Sequence, residues 1–97
     1  MLIGFVMTIR EEVIKNPQRF REAALKLSEG LKELPPGATV KSRYVFGGGD
    51  NTKSIIVFDV QGYEQLVPLV MALPEYFNLE SYPVIDNMGE VVQQSIR

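Results

Sequence analysis

The order in which hydrophobic periodicities follow one another constrains this 97-residue chain more than any single residue does. From Leu2 to Ile9 the chain reads as a strand in which both alternating sets, Ile3/Phe5/Met7/Ile9 and Leu2/Val6, are apolar. Asn16-Pro17 then opens a helix, because Asn caps free N–H groups and Pro at the first helical position gives up none that were in use. Its stripe of Phe20, Ala23, Ala24, Leu27, Leu31 and Leu34 recurs at three- and four-residue spacing until Pro35-Pro36-Gly37 stops it. Thr39 to Phe46 and Lys53 to Val60 read as two strands of a β-hairpin joined through the polar, glycine-rich tip Gly47 to Thr52. Gly62 to Leu73 returns to helical spacing, with Pro68 expected to kink that helix or to confine its first turn. Phe77 to Ile85 is a fourth strand, and Pro83 within it cannot donate to a ladder, which predicts a sheet edge. The sum is a ferredoxin-like βαββαβ domain of the α+β class, a four-stranded antiparallel sheet with two helices on one face and its second and fourth strands at the edges.

Two helices cover one face of such a sheet, yet the first strand is apolar on both. The second face therefore needs a cover, and a second copy of the same sheet is the simplest one, giving a homodimer built as an α+β barrel. Length points the same way, since a chain this short buries only roughly two-thirds of its unfolded surface. Residues 1–86 form the expected domain. The tail from Asn87 to Arg97, which carries Val91, Val92 and Ile96, is expected to dock on its own subunit or on the partner.

Composition narrows the chemistry. Ten Lys plus Arg stand against twelve Asp plus Glu, a net charge of −2, which argues against a nucleic-acid partner because phosphate neutralisation needs clustered cations. The chain has no Cys and no His. Thiolate nucleophiles, disulfides, imidazole acid–base chemistry and every Cys- or His-containing metal site are thereby excluded, and no cofactor or metal is expected. The apolar N-terminus lacks a basic segment and a cleavage site, and the run Leu66 to Leu73 falls short of the roughly 20 residues that span a bilayer. A cytoplasmic protein with no membrane partner is the expectation. The glycines of the hairpin tip join two strands and lack the spacing of a phosphate-binding loop that opens a helix.

The candidate functional residues lie on the hairpin and the fourth strand, where register is ambiguous by one residue. In the favoured pairing Val40, Tyr44 and Phe46 face the helices with Ile56, Phe58 and Val60. Lys41, Arg43, Val45, Ile55, Val57 and Asp59 then line the opposite face, joined by some of Asn78, Glu80 and Tyr82. Arg43, Tyr44, Asp59, Glu80 and Tyr82 are the candidate ligand-binding residues, since charged groups among aliphatic ones line a polar pocket. The competing structural reading pairs Arg43 with Asp59 or Glu80, within a subunit or across the interface. No residue is assigned a catalytic or metal-binding role, because neither Asp59 with Glu80 nor Glu11 with Glu12 has a distinctive spacing.

Pro35-Pro36-Gly37-Ala38-Thr39-Val40, the hairpin after it, and Phe77-Asn78-Leu79-Glu80-Ser81-Tyr82-Pro83-Val84-Ile85-Asp86 resemble a family of short proteins of unknown function placed with the dimeric α+β barrels. Leu79-Glu80-Ser81-Tyr82-Pro83-Val84 stands where that family has an F-E-x-x-P-V fourth strand, with Leu in place of Phe. The resemblance implies two ferredoxin-like sheets packed face to face. The wider group holds cofactor-independent monooxygenases, haem-degrading enzymes, isomerases and effector-sensing domains, and the missing histidine speaks against the haem members. Three functions follow as expectations. The leading one is a non-enzymatic small-molecule-binding or structural homodimer. The alternative is a cofactor-independent monooxygenase or isomerase, with Arg43 orienting an acidic or aromatic substrate and Asp59 or Glu80 as base. The third is a stand-alone effector-sensing domain that works with a separate DNA-binding partner.

Overall fold

The structure, a computed structural model, describes residues 1–46 and 53–85. Its elements are β1 (Leu2–Ile9), α1 (Glu11–Ile14), α2 (Pro17–Lys32), β2 (Thr39–Phe46), β3 (Lys53–Asp59), α3 (Val67–Ala72) and β4 (Phe77–Pro83), with single 3₁₀ turns at Tyr63–Leu66 and Leu73–Glu75 on either side of α3. The four strands form one antiparallel sheet in the order β2-β3-β1-β4. That is the ferredoxin-like arrangement, with β1 central and the Pro83-bearing strand at an edge. The expected hairpin tip at 47–52 and the docked tail at 87–97 lie outside the described residues.

Local chemistry accounts for the element ends. Asn16 Oδ1 accepts from the backbone N–H groups of Gln18 at 3.0 Å and Arg19 at 3.2 Å, satisfying donors that the first turn of α2 leaves free. The helix ends at Lys32, two residues short of the expected Leu34, as the chain turns toward Pro35-Pro36. The second predicted helix is broken into three short pieces. Pro68 has no N–H to close a bond onto the carbonyl of Glu64, so the chain stays in a 3₁₀ turn through Leu66 and α3 starts at Val67 with Pro68 in its first turn. α1 is too short for a periodic pattern to reveal, yet it delivers a fully buried Val13 to the core.

The core lies between the sheet and the helices. Ile3, Phe5 and Met7 of β1 and Ile56 and Phe58 of β3 point into it, meeting Ala23 and Leu27 of α2 and Leu66, Leu69 and Leu73 from the α3 segment. Phe5 and Phe58 meet edge to face with ring centroids 5.0 Å apart, the arrangement that aromatic quadrupoles favour. Among the described residues no polar side chain is buried, and no helix is long and apolar enough to cross a membrane.

Gln65 ties the two crossover loops together. Its Nε2 donates to the carbonyl of Pro36 at 2.9 Å, and its Oε1 accepts from the N–H of Gln61 at 2.8 Å. The adjoining Gly37 has φ of +91°, and a Cβ there would come within 2.8 Å of the Gln61 side chain. Gly37→Ala is therefore expected to lower stability by about 1–3 kcal/mol through backbone strain and this clash. Urea unfolding measures it, and an unchanged midpoint would mean that the turn relaxes at no cost.

Candidate functional site

The decisive local feature is a β-bulge in β2. Thr39 pairs with Asp59 and Val40 with Phe58, but the next pair is Ser42 with Val57, so the register shifts by one residue at Lys41. An extra residue in one strand reverses its alternation beyond that point. Arg43 stands opposite the fully buried Ile56, and Tyr44 opposite Ile55. Directly opposed residues share a face, so Arg43 and Val45 lie on the helix side and Tyr44 on the open side. This corrects the favoured pairing, which had those three reversed, while Val40 lies on the helix side as expected. The side chain of Phe46, assigned to the helix side from the sequence, is outside the described residues.

The bulge divides the five candidate residues. Tyr44, Asp59, Glu80 and Tyr82 lie on the open face, and Arg43 lies on the other side of the sheet. The expected pairing of Arg43 with Asp59 or Glu80 is thus ruled out within the subunit by the sheet between them. Asp59 Oδ1 instead lies 3.7 Å from the Met1 amino group, an exposed contact that contributes little. Tyr82 donates its hydroxyl proton to Glu80 Oε2 at 2.7 Å.

The open face has an aliphatic centre. Leu2 and Val6 of β1 sit beside Ile55 and Val57 of β3, all half-exposed, and Glu80, Tyr82, Asp59 and Tyr44 surround them. Gly4 leaves room for Val84 to lie across the sheet, since a Cβ at Gly4 would meet Val84 Cγ2 at 3.0 Å. Val84 is held there by its N–H, which donates to the carbonyl of Leu2 at 3.0 Å.

On the helix side, α2 and the sheet enclose a cleft of about 400 Å³. Met7, Leu27 and Phe77 are its buried floor, Ile9 and Leu31 its walls, and Phe20, which is 46% exposed, stands at the rim. Arg43 and Lys32 are its exposed charged residues, and Ser28 and Ser54 contribute hydroxyls. The sequence reading took Arg43 as a site residue but missed the cleft and Lys32, whose charge fits the pattern of a solvated helix face. The available signal was Phe20, an aromatic residue in an apolar stripe longer than the helix layer can bury.

No family model and no curated protein matches this chain. Solved structures do. The 30S ribosomal protein S6 of Thermotoga maritima superposes with a TM-score of 0.57 at 14% identity, covering 99% of this chain and 97% of that one. A de novo designed protein gives 0.55 at 10% identity over 89% and 98% of the two chains. A mutant of SnoaB, a cofactor-independent oxygenase from Streptomyces nogalater, gives 0.51 at 13% identity over 91% and 97%. Identities this low show the fold alone, which is ferredoxin-like, and proteins of unrelated roles share it.

The hydrogen bond to Glu80, and then the carboxylate's negative charge, raise the Tyr82 pKa above the ordinary 10.0. The neutral phenol is the form favoured by folding, so this contribution is complete below the unfolded pKa and disappears as pH rises through the higher folded one. Glu80→Ala is expected to bring Tyr82 ionisation back to lower pH, read as a shift in the phenolate absorbance titration. An unshifted curve would show that the pair does not form in solution.

Proposed function

We propose that this chain is a homodimeric small-molecule-binding protein with no catalytic role. The cleft between α2 and the sheet carries the reading: it has the volume of a ligand site, an apolar lining and a small number of convergent polar groups. The aliphatic centre of the open face supports the dimer, because a second copy of the same surface would remove Leu2, Val6, Ile55 and Val57 from water. The position of Asp59 and Glu80 favours binding over the monooxygenase or isomerase reading, which needs a carboxylate base in an enclosed pocket. Both are exposed on the far side of the sheet, and no carboxylate or tyrosine is among the described residues lining the cleft.

Native mass spectrometry of the protein from its own host is expected to give a dimer carrying a small-molecule adduct. Leu27→Trp should fill the cleft and remove the adduct while leaving the dimer. Val57→Asp should give a folded monomer, since two carboxylates would be buried across the two-fold axis. A wild-type monomer at micromolar concentration would overturn the assembly, and an adduct retained in the Leu27→Trp variant would overturn the site.

A further inference from the structure

We propose that the ligand of the cleft is an amphipathic anion, a single carboxylate on an aliphatic body. The inference rests on the cleft being the binding site and goes on to its chemistry.

The floor and walls offer hydrocarbon to one end of a ligand, and both ionised side chains among the described lining residues, Arg43 and Lys32, are cations. They reach the cleft from different elements, Arg43 from β2 and Lys32 from the last turn of α2. Neither forms an ion pair with any described residue. The nearby acids of α2 do not compensate them: Glu29 and Glu33 line a separate hollow beside Gly30 and Leu69, and Glu22 pairs with Arg19. A positive field at the mouth of an apolar slot selects an anion with an apolar tail.

The identity of the cations narrows the anion. A guanidinium presents a planar fork of donors that matches a carboxylate in a bidentate pair, and the Lys32 ammonium adds a point charge from the facing wall. The C-terminal end of the α2 dipole opposes an anion, but it amounts to roughly half a charge, against two full charges. Ser28 and Ser54 can take the remaining carboxylate lone pairs. A neutral hydrocarbon would leave both cations unused, and a cationic amphiphile would be repelled.

Decanoate, acetate and decyltrimethylammonium, titrated into the full-length protein and followed by amide chemical shifts, separate the contributions. Decanoate is expected to bind and to shift resonances of Leu27, Leu31 and Phe77, while acetate and decyltrimethylammonium do not. Arg43→Gln should weaken decanoate by about tenfold, and Lys32→Gln by less, since one charge-assisted pair is lost in each. Both residues are exposed, so these variants keep the fold, which the same spectra report. Leu27→Trp should abolish binding. Decyltrimethylammonium binding as tightly as decanoate, or an Arg43→Gln variant with unchanged affinity, would overturn the anion. A neutral or cationic adduct on the native protein would overturn it too and leave the binding reading standing. The loss of decanoate binding together with every native adduct would overturn both.

Discussion

Two helices can shield one face of a four-stranded sheet, and β1 carries apolar side chains on both of its faces. The rest of the structure follows from that mismatch. On the shielded side the Phe5–Phe58 contact sits at the middle of a core free of buried polar groups among the described residues. On the other side the aliphatic residues of β1 and β3 stay half-exposed. The helical layer is itself uneven. α2 has sixteen residues and α3 six, and Gly30 lets the α2 backbone come close against Leu69 of α3. The sheet therefore extends beyond its cover near Ser54 and Arg43, and the cleft occupies that shortfall.

Charge has a small part in holding the domain together. The ion pairs among described residues are at the surface, including Lys15 with Glu11 and Arg19 with Glu22 and Glu75, where water and salt screen them. Arg19 also lies over the ring of Tyr76 at 4.9 Å, which joins α2 to the segment leading into β4. Polar side chains act mainly as fasteners of loops: Asn16 at the start of α2, Gln65 between the crossovers, and Arg10, whose Nε donates to the carbonyl of Pro74 at 2.8 Å. The hydrophobic interior supplies the stability, and these contacts settle where the chain enters and leaves it.

The fold was legible because its signals are local. The Asn16-Pro17 cap, the three- and four-residue spacing of α2, the alternation of β1 and the Pro83 edge are each fixed by a few neighbouring residues, and each recurs in the structure. What was not legible depends on partners far along the chain or on segments too short to repeat. α1 has four residues, and although Pro68 was expected to kink the second helix or confine its first turn, the apolar spacing does not reveal the 3₁₀ turns on either side of α3. The register of β2 depends on how it meets β3, and composition gives no sign that it shifts at Lys41. Arg43 was thus picked for sound chemical reasons and placed on the wrong side, and Lys32 was passed over because a cation on a helix near glutamates looks like solvated surface.

The bulge at Lys41 makes the pairing of one strand a selector of site composition. Deleting Lys41 would restore strict alternation and leave Arg43 opposite Ile56, whereas pairing the same residues without the bulge would carry the guanidinium of Arg43 through the plane of the sheet and bring the Tyr44 ring to the helix side in its place. Whether one residue is taken into the ladder or left in the bulge thus exchanges a cation for an aromatic ring at the cleft and does the reverse on the opposite surface, with no amino acid substituted. In such a scaffold, kinship in residue identity and kinship in ligand chemistry part company through a change of strand pairing that a comparison of aligned columns does not register.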